Sequence, residues 1–375
     1  MKKTLFFAGT LALFLSNAYG QSVHPPKEMT YAQQPPFNPP GYVCYKTPGP
    51  ITVDGKLSPE EWDAIPWTTN FADIEGDKGA KPYLQTKMKM AHDDNGMYFA
   101  AWLEEPHIWA TLTEHDATIF QDNAFEMFFN PTNDTHHYLE YEVNALGTVW
   151  DLYLSKPYRD NPVTFSNWEF NGMKSAVYLD GTLNDPTDTD HCWTVEVFIP
   201  WRSLYQVMPR VRKPADGDQI RANFMRVQWP LEVKEGKYVK IPKKEGTARA
   251  ESYWLWAPIG IVSAHLPEYW GYIQFTETIA GKGEVAFKWN PDEDIKWALR
   301  QLYLRQREFR QTHGYYTSNP ADLKPAEVCP AEWLKKISIE TTSSMYEISL
   351  SIDKNNTWNI RQDGLVWQKK PQVQR

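Results

Sequence analysis

The chain has 375 residues, 39 Lys+Arg against 47 Asp+Glu for a formal charge of −8, and 17 Trp, 20 Tyr and 17 Phe, 54 rings in all. At 42% hydrophobic and 23% charged it can bury a core and is not a disordered chain. The acidic balance argues against a nucleic-acid partner, because phosphates call for clustered Lys and Arg. Three cysteines (Cys44, Cys192, Cys329) make no disulfide framework and no close metal-ligand pair; mostly free, buried thiols are expected, with one disulfide left open.

Lys2 and Lys3 precede the apolar run from Leu5 to Leu15, and Ala18-Tyr19-Gly20 supplies small residues before Gln21. That pattern reads as a secretory signal peptide over residues 1–20, so a periplasmic or secreted protein is expected. No Cys at the cleavage point offers a lipid anchor. Its removal takes two Lys and no acid, moving the charge from −8 to −10. No later segment approaches the ~20 apolar residues of a membrane span. Residues 21–49 are Pro-rich and read as an extended leader over the domain.

From Ile51 the pattern changes to short strands. Leu84, Thr86, Met88 and Met90 alternate with polar neighbours, and Asp93-Asp94-Asn95-Gly96 turns the chain into Met97 to Leu103, a hairpin signal. Leu139, Tyr141 and Val143 alternate with Glu140, Glu142 and Asn144, and Trp193 to Ile199 alternate in the same way. Further strands are expected at 125–129, 148–154, 220–229 and 270–276. Many short strands and little helical period before residue 290 predict a mainly β fold, an antiparallel β-sandwich of jelly-roll-like form. Asp292-Glu293-Asp294 then opens a helical pattern with Ile295, Leu299, Leu302 and Phe309, and Arg300, Arg305, Arg307 and Arg310 precede Gly314. Acid first, base last and a Gly stop suit the helix dipole, and the basic residues are expected to form a solvated face. Tyr346 to Ile352 and Thr357 to Trp367 read as a hairpin. The expected division is 1–20, 21–49, a sandwich over 50–278, and a small C-terminal helix plus β-hairpin appendage over 279–375.

Ile51 to Trp62, Asp122 to Asn130 and Cys192 to Trp201 are similar to the opening strand and turn, the acidic strand and a later strand of carbohydrate-binding module family 9. Arg221 to Trp229, and Trp254 to Phe275 with His265, Pro267, Trp270 and Gly271, resemble the secreted bacterial branch of that family. The resemblance covers roughly residues 50–276. It implies a sandwich that binds sugars without cleaving them, with structural calcium in some members; calcium is the one cofactor expected as an option. The family's two clamp rings would fall at Ile119, beside Phe120, and near Ile261 and Val262, none of them Trp. Its polar set matches Glu126, Glu142-Val143-Asn144 and, on a later strand, Arg226.

Alternation places Phe125, Met127 and Phe129 on one face and Glu126 on the other, with Glu142 and Asn144 opposite Leu139, Tyr141 and Val143. Arg226 is placed to bridge Glu126 and Glu142, since its fork matches carboxylates. A buried ion network that only holds the sheet is the competing account. Trp109, Trp229 and Trp256 are candidate stacking rings, each weighed against core packing. His265 reads as a loop anchor or a ligand contact. His136-His137, on opposite faces, make a poor metal pair. Asp93 to Asn95 and Asp185 to Asp190 read as loop turns, and Asn133-Asp134-Thr135 fits a glycosylation sequon. The expected partner is a neutral glycan or oligosaccharide, alongside polysaccharide-degrading enzymes. A glycoside hydrolase or lyase using Glu126 and Glu142 is the alternative, and a haem site at Met88, Met90 and His92 a second.

Overall fold

The computed structural model describes residues 36–369 apart from 209 and 248, so the expected signal segment lies outside the described residues. The alternating segments become strands: β1 Gly41–Lys46, β2 Ala72–Asp73, β3 Thr86–His92, β4 Gly96–Glu104, β5 Ala124–Asn130, β6 Tyr138–Asn144 and β7 Val149–Leu154. There follow β8 Thr164–Phe165, β9 Lys174–Asp180, β10 Cys192–Pro200, β11 Gln219–Gln228, β12 Leu231–Lys234, β13 Lys237–Lys240, β14 Ser252–Leu255 and β15 Gly271–Ile279. Two one-turn helices, α1 Pro59–Trp62 and α2 Trp201–Leu204, interrupt them.

The strands form two facing layers, β8-β7-β6-β5-β11-β15 and β3-β4-β10-β9. Phe99 of the second layer meets Phe129 and Phe224 of the first at 5.2 and 6.2 Å between ring centroids. The inward residues are those that alternation selected: Phe125, Met127 and Phe129, Leu139, Tyr141 and Val143, Trp193, Val195 and Val197. Met88 and Met90 belong to the same core, and His92 is buried with its Nε2 2.9 Å from the Thr276 carbonyl. Packing and a backbone bond thus account for the three residues read as a haem set.

The Pro-rich segment departs from expectation. Within it, β1 pairs in parallel with β15 on one side and β3 on the other, joining the two layers. Tyr42 and Cys44 face inward, an alternation too short to stand out between Pro40 and Pro48. The sandwich therefore begins at residue 41, not 50. The segment 51–62 docks by polar contacts: Asp54 and Gly55 N–H donate to Glu196 Oε2 at 2.9 and 2.8 Å, and the Trp62 indole donates to Oε1 at 2.6 Å. Gly55 has φ +87°, and a Cβ there would lie 2.6 Å from the Val177–Tyr178 backbone, so only glycine fits this turn. Cys44, Cys192 and Cys329 are free and buried.

Helix α3 spans Asp292–His313 and ends at Gly314, φ +81°. It packs on a four-stranded antiparallel sheet, β16 Ile337–Thr341, β17 Tyr346–Asp353, β18 Asn356–Arg361 and β19 Val366–Lys369, in that order; the expected hairpin forms its centre. The arginines are not a solvated face. Arg300 is buried and donates to Asp134 O at 2.9 Å and Thr135 Oγ1 at 2.5 Å. Arg305 is buried against Leu323 O and Glu327, and Arg307 reaches Asp160 at 3.0 Å. They are consumed in docking because loop carbonyls and acids flank the helix. Glu293 completes the joint, accepting from Arg221 of β11, Lys296 and Tyr272, each at 2.6 Å.

Candidate functional site

Opposed residues of an antiparallel pair share a face, so register decides what meets what. On the outer face of the first layer one row runs Met225–Glu126–Glu142–Trp150, and the next holds Phe128–Glu140–Leu152. Glu126, Glu140 and Glu142 are all buried, and each offers a carboxylate oxygen within 4.8 Å of the others'. Phe120 N–H donates to Glu142 Oε2 at 2.9 Å. Ile119, Val227 and Tyr253 pack on this face, with Phe120, Trp150, Trp229, Ile261 and Val262 at its margins.

Three acids this close and this dry cannot all ionise. Burial is the main cause that raises each of them, with mutual repulsion adding to Glu126 and Glu142. Glu140 is pushed up to about 8, and its hydrogen bond with Glu142 works against that rise while adding to the rise of Glu142. Two polar atoms are left over. Glu126 Oε1 and Trp150 Nε1 are buried with no hydrogen-bond partner among the described residues.

Of the expected site residues, the outer face gathers Glu126, Glu142, Asn144, Phe120, Trp229 and His265. Arg226 is not among them. It stands opposite Phe125, not Glu126, and so points into the sandwich. There it donates to Glu105 Oε2 at 3.0 Å, Gln228 Oε1 at 2.8 Å and Thr86 Oγ1 at 3.1 Å. The expected bridge between Glu126 and Glu142 is thus replaced by a buried pair with Glu105. Trp256 also faces inward, 5.7 Å from Phe224 and close against Gly271; it is a core ring.

Asn144 lies on the outer face but is fully used. Its amide donates to Leu112 O and Asp122 Oδ2, and its carbonyl accepts from Leu146 and Thr148 N–H, all at 2.8–3.1 Å. It ties the 111–122 loop to the β6–β7 hairpin. The β12–β13 hairpin lays Lys240 over Trp229, 3.9 Å from the ring centroid and 5.5 Å from that of Trp109. Trp229 also donates its indole N–H to Phe120 O at 2.8 Å, fixing Phe120 beside the acids. His265 Nδ1 lies 3.0 Å from Tyr138 Oη, with Nε2 3.9 Å from Glu140 Oε1; burial holds its ring neutral, down to about 3.

Glu140 and Trp150 were not singled out from sequence. Glu140 carried the signal, two residues before Glu142 and hence on its face; Trp150 depends on the β6–β7 register. Asn133 of the sequon has φ +57°, donates to Gln219 O at 2.9 Å and accepts from Arg221 N–H at 2.6 Å, so its amide is engaged inside the fold.

Two facing antiparallel layers with a polar set on an outer face define a β-sandwich binding module. The chain belongs to carbohydrate-binding family 9, whose profile matches residues 77–275, just over half of its length. A Bacteroides uniformis protein proposed to bind carbohydrate is similar over 63% of this chain and 98% of its own, at 16% identity and a TM-score of 0.44. A family 9 module of Caldicellulosiruptor kristjanssonii, solved with glucose, matches over 67% of this chain and 100% of its own, at 18% identity and a TM-score of 0.39. The same module with cellotriose gives 17% and 0.39. No curated protein sequence matches the chain.

Proposed function

We propose that this is an exported, non-catalytic carbohydrate-binding protein serving polysaccharide or oligosaccharide utilisation, with its sugar on the outer face above Glu126, Glu142 and Trp150. One observation carries the placement. An unfilled acceptor, Glu126 Oε1, and an unfilled donor, Trp150 Nε1, lie on one strand row, beside Phe120 and Trp229. A sugar hydroxyl both donates and accepts, and apolar margins suit its C–H face. Asn144, His265 and Trp109 support the site by holding its loops, while Arg226 and Trp256 act from within the sandwich. The surplus of acid favours a neutral glycan over a polyanionic one.

A hydrolase pair flanks the scissile bond from opposite sides, whereas these three carboxyls sit together on one face of one layer. Calorimetric titration with a panel of neutral oligosaccharides, glucose and cellotriose included, tests the reading. Glu126→Leu and Trp150→Phe are each expected to weaken binding at least about tenfold, the cost of one lost hydrogen bond to a buried partner. Unchanged affinity in both would overturn the placement, and steady release of reducing sugar, lost in Glu126→Gln, would favour a hydrolase. A mature N-terminus at Gln21 in the extracytoplasmic fraction is the expected sign of export; an intact Met1 there would refute cleavage.

A further inference from the structure

A second set of ligand-type side chains lies where the β4–β5 connection meets β7 and the segment between β8 and β9. His115, Asp116, Asp151 and Glu169 each bring one ligand atom, and the four atoms all lie within 4.8 Å of one another. His115 Nε2 is 2.8 Å from Glu169 Oε1 and 3.4 Å from Asp116 Oδ1. For metal–ligand bonds of ~2.0–2.2 Å, neighbouring ligands stand ~2.8–3.6 Å apart. These two spacings fall in that range, and the remaining ones stay within 4.8 Å.

The cluster alone would be no more than a group of acids. Asp151 supplies the independent observation. It is fully buried on β7, and one oxygen accepts the Phe170 N–H at 2.6 Å. Its other oxygen, Oδ1, is buried with no hydrogen-bond partner among the described residues, and so is Asp116 Oδ1. Buried carboxylate oxygens are ordinarily satisfied, and a cation in the cluster would satisfy both. An imidazole among three carboxylates also narrows the ion. Calcium takes oxygen ligands, whereas imidazole suits zinc and its first-row neighbours.

We propose that His115, Asp116, Asp151 and Glu169 form a binding site for a divalent transition-metal ion of the zinc type, entered from solvent past the exposed His115 and Glu169. The bound ion would clamp the loop that carries Ile119 and Phe120 to the edge of the sandwich.

Zinc chloride titrated into the whole, chelator-stripped chain is the test. The expected result is one ion per chain, calcium at least about tenfold weaker, and a higher Tm with zinc. His115→Ala, at an exposed position, and Asp151→Asn are each expected to weaken zinc binding at least about tenfold, with circular dichroism confirming the fold. No binding at about 100 μM zinc, binding undiminished in both variants, or calcium as tight as zinc would each overturn the proposal. Sugar binding is measured separately at the outer face, so failure of one reading leaves the other standing.

Discussion

Replacing Glu140 with glutamine isolates the electrostatic cost of the outer-face acids. Burial pushes the Glu140 carboxyl up to about 8 from an ordinary 4.5, so between those values the folded state binds the proton that the unfolded chain releases. A folded pKa raised in this way gives stability that is present in full below about pH 4.5 and lost as pH rises through about 8. At 1.36 kcal/mol per tenfold change in proton affinity, the loss at pH 8 is on the order of 4 kcal/mol. Glu140→Gln keeps the shape and an acceptor for Glu142, and removes the titration. The variant is expected to equal the wild type near pH 4.5 and to exceed it increasingly toward pH 8. Urea unfolding at pH 4.5, 6 and 8 reads this directly; with an m-value of ~3 kcal/mol/M the midpoint moves by ~1 M at the alkaline end. A wild-type profile flat from pH 5 to 8, or a variant no more stable at pH 8, would refute the reasoning.

Arg226→Ala leaves Glu105 buried without its counter-charge and is expected to cost about 3–5 kcal/mol, read by urea unfolding, whereas Arg226→Ala with Glu105→Gln should recover part of the loss. Trp256→Ala opens a cavity beside Phe224 and is expected to destabilise by about 3–5 kcal/mol, with glycan affinity per folded molecule unchanged. Glu293→Ala strips the buried Arg221 of its carboxylate and loosens the joint between α3 and the sandwich; limited proteolysis is expected to cut the 280–291 segment faster than in the wild type, and an equal rate would show that the other arginine contacts suffice.

The sandwich was legible because period-two alternation survives in β3 to β6 and β10, where one face is apolar. Glu126 and Glu142 were placed on a common outer face by that rule alone. Arg226 shows where the reasoning stopped. Ala222, Phe224 and Arg226 are two apart and share the inward face, but a guanidinium there makes sense only with Glu105, 121 residues earlier. Such a partnership is set by strand order, which spacing does not encode. The helix arginines failed for a related reason: a dipole argument says where basic residues suit a helix, not whether loop carbonyls await them. Trp109, Trp229 and Trp256 differ only in what lies across from them, a lysine in two cases and Phe224 in the third.

The place of β1 bears on how the molecule is made. It is the earliest strand among the described residues, yet its parallel partner β15 ends at Ile279, some 230 residues later. The two layers cannot be stitched together until nearly three quarters of the polypeptide is available, so assembly is governed by a late, long-range closure of the kind that folds slowly. Until β1 is seated between them, β15 and β3 offer raw edges to neighbouring chains. A fragment begun at Ile51, where composition invites the cut, would carry those open edges permanently, and self-association rather than loss of the sugar face is the fault to expect of it.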